Sequence, residues 1–231
     1  MKTIGLIGGL SWQSTLTYYR LLNEAVGERL GGHHSADLRI WSGDFEPIHQ
    51  AQLKDDHEWI GSVLADAGKG LADSGAELLV IASNTCHRYA GQIESAAGIP
   101  LVHIIDATAA RITASDKTKV LLLGTDYTMS GEFYTGYMAR FGIDCEVPGP
   151  EARTEVHRII FDELVHGEIR EDSKRELLGI IERAAGGGSE GVILGCTELG
   201  LILDEGDGAV PGFDTTTIHC AAVVDAALQA V

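Results

Sequence analysis

The chain has 231 residues, of which 45% are apolar and 22% are charged, so it can bury a substantial core and is neither disordered nor fibrous. Its formal net charge of −17 argues against nucleic acid or an anionic membrane surface as a partner, because both call for clustered lysine and arginine. No apolar segment approaches the roughly 18 residues of a membrane span. Four dispersed cysteines without CxxC spacing predict a reduced, cytoplasmic protein with no metal site. A small molecule is the expected ligand.

Short apolar runs alternate with longer amphipathic stretches, which predicts repeated βα units and an α/β fold with parallel sheets flanked by helices. The predicted strands, in chain order, are Ile4–Ile7, Leu38–Trp41, Leu78–Ala82, Leu101–Ile105, Val120–Leu123, Val192–Leu194 and Ala209–Val210. The predicted helices are Ser14–Leu30, Trp59–Leu71, Gly131–Phe141, Thr154–His166, Ser173–Ala185 and Thr217–Ala230.

The chain contains a weak internal repeat. Residues 2–9 resemble residues 118–125 at an offset of 116, and residues 79–85 resemble residues 192–198 at an offset of 113. Two pairs at nearly the same offset predict two similar lobes related by a pseudo-two-fold axis.

We expect the first lobe to comprise residues 1–105 and 209–231, and the second lobe to comprise residues 106–208. Ligands of parallel sheets bind beyond the carboxyl ends of the strands, so the residues that follow matching strands should border one cleft between the lobes. These residues are Gly8, Ser83, Gly124 and Cys196.

Cys196 follows an apolar strand and precedes Thr197 and Glu198, which can open a short helix. A thiol in that position faces backbone N–H groups at the positive end of a helix, which favours the thiolate. The alternative is a small buried cysteine that fills the strand end. The polar pair after it and its partner in the repeat both favour a functional role.

Ser83, Asn84 and Thr85 occupy the matching strand end in the first lobe. Their amide and hydroxyl groups suit a carboxylate or an ammonium group, whereas helix capping is the alternative use, and the two can coexist. Cys86 and His87 diverge at a helix start, so we do not expect them to form a nucleophilic pair.

Two glycine-rich segments fail as ligand motifs. Residues 5–9 lack the G-x-G-x-x-G pattern of a dinucleotide site, and residues 187–191 match G-x-S-x-G but precede a strand instead of following one. The sequence therefore predicts no nucleotide cofactor and no nucleophile elbow.

Four segments in this order resemble the aspartate/glutamate racemase family, over essentially the whole chain: residues 4–15, 84–87, 195–198 and 213–215. The resemblance implies a two-lobed α/β enzyme, commonly a homodimer, that inverts the α-carbon of an amino acid without pyridoxal phosphate or another cofactor. It also implies two catalytic residues on opposite faces of the substrate, one of which removes the α-proton while the other returns a proton.

By this resemblance Cys196 is the second of the family's two catalytic cysteines. Ser83 stands at the position of the first, as a hydroxyl residue does in a subgroup that acts on aspartate and glutamate with a preference for the L-form. A serine hydroxyl is a far weaker acid than a thiol with a pKa of about 8.5. His166 stands where many relatives have a lysine. The implied substrate-binding residues are Leu10, Gln52, Asn84, Thr85, Thr197, Glu198 and His166.

The sequence thus predicts a cytoplasmic, homodimeric racemase of aspartate, glutamate or both, in which Cys196 is the main acid/base and Ser83 acts on the opposite face. Other reactions of the same scaffold are alternatives, namely arylmalonate decarboxylation, maleate isomerisation and hydantoin racemisation. Loss of the first cysteine also leaves open an amino-acid-binding protein without turnover.

Overall fold

The computed structural model describes residues 1–229, which form two compact units. The first unit comprises Met1–His103 together with the residues from His219 onward, and the second comprises Ile104–Ile218. Each unit is built on its own parallel sheet. The prediction of an α/β protein with two parallel-sheet lobes is therefore confirmed.

The sheet of the first unit has three strands in the order β2-β1-β3. Ile7 of the central strand lies opposite Trp41 on one side and Ile81 on the other. The strands are β1 (Ile4–Gly8), β2 (Leu38–Ser42) and β3 (Leu78–Ile81). The helices between residues 1 and 103 are α1 (Trp12–Leu30), α2 (Phe45–Leu53), α3 (His57–Asp73) and α4 (Ala90–Ala97), with a 3₁₀ turn at Thr85–Tyr89.

The sheet of the second unit has four strands in the order β5-β4-β6-β7. They are β4 (Lys119–Leu123), β5 (Asp144–Glu146), β6 (Val192–Leu194) and β7 (Gly212–Asp214). The helices of the second unit are α5 (Ile104–Thr113), α6 (Asp126–Met129), α7 (Glu132–Ala139), α8 (Pro150–Arg158) and α9 (Glu171–Gly186). The last helix, α10 (Thr215–Leu228), belongs to the first unit from His219 onward. A π-helical segment (Ile159–Glu163) and two 3₁₀ turns (Leu164–His166 and Thr197–Leu201) complete the elements.

Strands β1 and β3 are buried on both faces, which explains their continuous apolar runs, whereas the edge strand β2 is partly exposed. Side chains of successive strand residues point to opposite faces. Ile4 and Leu6 therefore pack on one face with Leu22 of α1 and Val223 of α10, while Ile7 packs on the other face with Leu64 of α3.

The internal repeat corresponds to equivalent strands. In each sheet the first strand in sequence lies at the centre, between the second and the third. Residues 2–9 and 118–125 therefore contain the two central strands, and residues 79–85 and 192–198 contain the two third strands. The shared strand order gives the repeat a structural basis.

Two predicted strands are wrong. In the segment Leu101–Ile105 only Leu101 makes a parallel bridge, to Leu79, and α5 begins at Ile104. The apolar residues from Ile104 recur at helical spacing, and that period prevails over the β-branched composition. The predicted strand Ala209–Val210 is also misplaced, because β7 begins after Pro211, which has no N–H to donate to a ladder.

Other boundaries differ from the expected ones. The predicted helix Thr154–His166 is observed as α8 followed by the π-helical segment and a 3₁₀ turn. β7 pairs with β6, so residues 209–218 lie with the second unit and not with the first. The expected last helix reaches Ala230, which lies outside the described residues. Among residues 1–229 no helix is both long and apolar enough to cross a bilayer.

Candidate functional site

Ser83 lies just beyond the carboxyl end of β3. Hydrogen bonds to two successive backbone carbonyls, those of Ala82 and Ser83, fix the chain at this point. Ser14, in the first turn of α1, donates its hydroxyl to the carbonyl of Ala82 at 2.9 Å. His87 donates from Nδ1 to the carbonyl of Ser83 at 2.7 Å, because a carbonyl oxygen can only accept. Both anchoring residues are buried. The backbone at Ser83 is thus positioned by two buried side chains.

The hydroxyl of Ser83 caps the 3₁₀ turn that follows it. Its Oγ accepts the backbone N–H of Cys86 at 3.3 Å. Burial raises the pKa of the Cys86 thiol to about 11, and a hydrogen bond with Ser83 opposes that rise. Cys86 is thus a buried thiol next to Ser83, and His87 serves the Ser83 backbone instead of forming a pair with Cys86.

The first unit also contains four of the other predicted site residues. Leu10 follows β1, whose carboxyl end lies beside that of β3, because the N–H of Ala82 donates to the carbonyl of Ile7 at 2.9 Å. Asn84 is buried, Thr85 is half-buried, and Gln52 is half-buried at the end of α2. Leu10 is buried and belongs to the same apolar cluster as Cys86.

Cys196 lies beyond the carboxyl end of β6 in the second unit. The N–H of Gly195 donates to the carbonyl of Leu123 at 2.7 Å, so this segment continues along β4. A Cβ at residue 195 would lie 2.8 Å from that carbonyl oxygen, which explains why a glycine precedes the cysteine. Cys196 is extended and caps the turn Thr197–Leu201 through its own carbonyl, which accepts the N–H of Leu199.

The thiol of Cys196 donates to the carboxylate of Glu198, with Sγ and Oε2 2.9 Å apart. Glu198 is only 6% exposed. Burial raises the pKa of the Cys196 thiol well above its ordinary value, and the charge of Glu198 raises it further. Backbone N–H groups of Thr197 and Glu198 lower the pKa of the thiol, as expected from the sequence. Their effect is smaller than that of burial and of the Glu198 charge. The expectation of a resting thiolate is therefore wrong, because the neutral thiol is the favoured form.

Removal of the Glu198 charge is expected to make Cys196 more reactive toward an alkylating agent. Glu198→Gln lowers the thiol pKa, and each unit of lowering raises the thiolate fraction about tenfold below the pKa. Intact-mass spectrometry after iodoacetamide treatment at pH 8 measures the rate, with Glu182→Gln, an exposed carboxylate on α9, as the matched control. A rate that stays the same or falls in Glu198→Gln would contradict the electrostatic role of this carboxylate.

His166 ends a 3₁₀ turn that packs against the turn containing Thr197 and Glu198. The segment before it is anchored by Glu163, which is 2% exposed and accepts from Arg158 at 2.7 Å and from Ser173 at 2.5 Å. Burial opposes the charge of Glu163, but these hydrogen bonds keep its pKa below the ordinary value. The buried ionic anchor thus holds the turn of His166 beside the turn of Cys196.

The segment 213–215, which contributes to the family resemblance, supports the strand that leads to Cys196. Thr215 donates its hydroxyl to the carbonyl of Leu194 at 2.8 Å, two residues before the cysteine. Asp214 accepts the backbone N–H of Thr216 at 3.0 Å and lies beside Gly200 in the turn after Cys196. Thr215 and Asp214 thus contact the backbone just before and just after Cys196 and support its position.

Three histidines meet beside Ser83 within the first unit. The ring of His87 lies 4.8 Å from that of His103 and 5.2 Å from that of His219. In its neutral form His219 donates from Nε2 to the carbonyl of Val102 at 2.8 Å and accepts at Nδ1 from the hydroxyl of Tyr18 at 2.9 Å. Among residues 1–229 no group of three or more His, Cys, Asp or Glu could hold a metal ion.

Burial lowers the pKa of His219 to about 4, and we expect this to make the protein sensitive to acid. A histidine whose folded pKa is depressed stabilises the fold above its unfolded pKa of about 6.5, and this stability is lost as the pH falls from there toward 4. The loss attributable to His219 at pH 5 is about 2 kcal/mol. His219→Gln removes the proton uptake while keeping one donor and one acceptor.

Urea unfolding at pH 7 and pH 5 measures this effect. The free energy of unfolding should fall less between the two pH values in His219→Gln than in the wild type. His33→Gln, at an exposed loop position, should leave the pH dependence unchanged. An equal fall in all three proteins would mean that His219 does not take up a proton on acid unfolding.

Sequence reasoning named most of these residues but missed how they are paired. The family resemblance implies Glu198 only as a contact for the substrate, and the sequence considers His87 only as a partner of Cys86, which it argues against. His87 occurs four residues after Ser83, a spacing at which a side chain reaches back to a backbone carbonyl in a helical turn. That spacing is the signal that could have identified it.

Comparison with known proteins agrees with this architecture. The family model described as Asp/Glu/Hydantoin racemase matches residues 7–223. The crystal structure of a candidate Asp/Glu racemase from Yersinia pestis is 44% identical, with a TM-score of 0.94, and the match covers 99% of this chain and 100% of that one. An aspartate racemase homologue from Pyrococcus horikoshii is 37% identical, with a TM-score of 0.89 and the same coverage.

A third relative has a name that describes its activity. The broad specificity amino-acid racemase of Bacillus subtilis is 25% identical over 134 residues, which cover 57% of this chain but only 58% of the length of that protein. The family model, in contrast, extends over nearly all of the chain, including both strand ends that hold Ser83 and Cys196. The chain therefore belongs to the Asp/Glu/Hydantoin racemase family.

Proposed function

We propose that this chain is a cofactor-independent amino-acid racemase that acts on aspartate, glutamate or both. The observation that carries the proposal is the thiol of the half-buried Cys196, which donates to the carboxylate of the buried Glu198 at 2.9 Å beyond the end of a parallel strand. Membership of the racemase family and the names of the relatives support the same class of reaction. The proposed chemistry is proton removal and return at the α-carbon.

In this proposal Cys196 becomes a base by giving its proton to Glu198. The carboxylate and the thiol already share that proton through a hydrogen bond. Its transfer leaves a thiolate beside a neutral carboxylic acid, so the pair of Cys196 and Glu198 carries one negative charge before and after the step. The thiolate then takes the α-proton of the substrate, and the electrons of that C–H bond remain on the α-carbon as an enolate-like carbanion.

Ser83 serves the opposite face of the α-carbon, either through its hydroxyl or through a water molecule that it binds. Donation of a proton to the carbanion from that side gives the inverted amino acid and leaves an alkoxide at Ser83 or a hydroxide ion. Solvent then returns a proton to this group, while Glu198 releases to solvent the proton that it took from Cys196, so the starting protonation states are restored. The proposal is supported by the place of Ser83 in the repeat, since β3 and β6 are equivalent third strands in their sheets. A hydroxyl is a weak acid, so we expect this step to be the harder one.

The remaining predicted residues hold the substrate. Asn84, Thr85 and Thr197 offer amide and hydroxyl donors to the substrate carboxylate, where negative charge increases as the carbanion forms. The second carboxylate oxygen of Glu198 can accept from the substrate ammonium group. Leu10, Gln52 and His166 complete the proposed set.

The test is a panel of single enantiomers incubated with the protein in deuterated water, after dialysis against a chelator and without added cofactor. Chiral chromatography follows inversion and NMR follows loss of the α-hydrogen. We expect aspartate or glutamate to be inverted. Binding of these amino acids without inversion or α-hydrogen exchange would overturn the proposal in favour of a binding protein.

One observation favours a second candidate. At the position two residues after each of the two equivalent strands, β6 is followed by a cysteine and β3 by a serine. One strong acid/base group is enough for a reaction that returns a proton to one face only. Decarboxylation of an arylmalonate is a reaction of this kind. Phenylmalonate therefore belongs in the substrate panel, and its decarboxylation without amino-acid inversion would select this candidate.

We also propose that the protein acts as a homodimer in the cytoplasm. The dimer rests on the family resemblance, and light scattering should give a mass near twice the 24.6 kDa of the chain. The reducing compartment is supported by four cysteines that are all free. A monomeric mass at working concentration would contradict the proposed dimer.

A further inference from the structure

Arg153, on α8, differs from the other arginines of the described chain. It is half-buried, and its Nε is buried without a hydrogen-bond partner. Among residues 1–229 the only other half-buried arginine is Arg158, which is held by Glu155 and Glu163. No ion pair in that range includes Arg153. A guanidinium N–H that is buried without an acceptor costs free energy, so such a group calls for an anion.

His157 lies one helical turn after Arg153 on α8, and its ring can also donate a hydrogen bond. Its Nδ1 accepts the backbone N–H of Asp126 at 3.2 Å, so in the neutral ring the proton is on Nε2. The His157 ring lies 4.5 Å from that of Phe161 and 6.3 Å from that of Tyr127. Arg153 and His157 thus present two donor groups from one face of α8, beside an aromatic surface.

This face of α8 lies at the same edge of the second sheet as Cys196. Asp126 begins α6 only three residues after the end of β4. β4 pairs with β6, and a Cβ at Gly124 would lie 3.2 Å from the carbonyl oxygen of Gly195, the residue before the cysteine. Cys196, Gly124, Asp126 and His157 are therefore successive neighbours along the carboxyl edge of one sheet.

The acidic groups at this edge are already engaged. Asp126 accepts from the hydroxyl of Ser130 at 2.6 Å, and Glu198 accepts from Cys196. Neither makes an ion pair with Arg153. A planar guanidinium matches a carboxylate through two parallel N–H donors, which suits it to a carboxylate ligand better than to a compact anion.

We propose that Arg153, together with Nε2–H of His157, binds the side-chain carboxylate of an acidic amino acid and so determines substrate specificity. This inference rests on the proposed function, because the reacting α-carbon must lie at Cys196 while the side chain extends toward α8. It makes Arg153 a binding residue that is not required for the proton transfers themselves.

The test measures the binding of unreactive carboxylates to the 231-residue chain, so that it is independent of turnover. Succinate carries two carboxylates, and butanoate has the same length but only one. Isothermal titration should show that Arg153→Gln weakens succinate binding by about 10- to 100-fold and leaves butanoate binding unchanged. Arg153→Lys, which keeps the charge but loses the planar fork, should fall between the wild type and Arg153→Gln. Arg111→Gln, at an exposed arginine of α5, is the matched control.

Steady-state kinetics gives a second measurement. In Arg153→Gln, kcat/KM for aspartate or glutamate should fall by a similar factor, mainly through KM, while kcat/KM for alanine should not fall. Thermal unfolding of each variant checks that the fold is retained, and Arg153→Lys and His157→Gln provide the comparison if Arg153→Gln does not fold.

The outcomes separate this inference from the proposed function. Succinate binding that depends on Arg153, in a protein that inverts no amino acid, would support the subsite and reject the racemase. Inversion of aspartate that is unaffected by Arg153→Gln and Arg153→Lys would support the racemase and overturn the subsite. Failure of the wild type to prefer succinate over butanoate would also overturn the subsite.

Discussion

Replacement of Cys196 with alanine is expected to abolish amino-acid inversion in both directions. The variant lacks the thiol that takes the α-proton in the proposed reaction, so kcat should fall by about 10³-fold or more. The fold should be retained, since the side chain is small and lies beyond the strand. Chiral chromatography and NMR of the α-hydrogen measure inversion and exchange, and circular dichroism checks the fold.

The matched control is Cys145→Ala, at a cysteine that is buried in the core of the second unit on β5. Burial raises the pKa of Cys145 to about 12, so this thiol is inert at neutral pH. Its replacement should lower thermal stability slightly and leave kcat unchanged. A Cys196→Ala protein with most of the wild-type kcat would refute the assignment of this cysteine as the main acid/base.

Ser83→Cys is expected to change the ratio of inversion to hydrogen exchange. In the wild type a proton taken by Cys196 should often return to the same face before Ser83 can deliver one to the other face. One enantiomer should therefore exchange its α-hydrogen for deuterium faster than it is inverted, whereas the other should show little exchange without inversion. A thiol at residue 83 is a better proton donor, so the variant should invert more often per exchange event.

Equilibrium limits how this asymmetry can appear. Enantiomers have equal free energy in an achiral solvent, so kcat/KM must be the same in the two directions even where kcat and KM differ. The asymmetry is thus visible in exchange with retention and not in the final ratio of enantiomers. Equal exchange and inversion for both enantiomers, unaltered by Ser83→Cys, would show that residue 83 is not the weak partner.

Cys86 provides the control for this experiment. Its backbone N–H donates to the Ser83 hydroxyl, and its buried thiol is an alternative source of a proton in the same segment. We expect Cys86→Ala to retain the wild-type ratio of exchange to inversion. Loss of inversion in Cys86→Ala, with exchange intact, would instead assign the opposite-face proton to this thiol.

The sequence allowed the strand ends to be located, and with them Ser83 and Cys196, because a strand covered on both faces leaves a continuous apolar run that ends abruptly. Leu78–Ile81 and Val192–Leu194 are such runs. The segment Leu101–Ile105 has similar composition, but it is divided between a single bridge and the start of a helix. Composition cannot distinguish these cases when a run is short.

The protonation state of Cys196 could not be predicted from its neighbours in sequence. The rule that a helix start favours a thiolate considers only the backbone N–H groups of Thr197 and Glu198. The pKa of the Cys196 thiol also depends on its burial and on the position of the Glu198 carboxylate, which accepts a hydrogen bond from it. Both are set by tertiary packing, which local sequence does not encode.

The way the chain divides between the two units sets an order for folding during synthesis. The core of the first unit includes Val223 and Val224 of α10, which pack with Ile4 and Leu6 of its first strand. Residues 104–218 must be made before those valines are available, and those intervening residues form the second unit in one continuous stretch. The second unit can therefore complete its core first, while the nascent first unit exposes an unfinished apolar face to the ribosome and to chaperones.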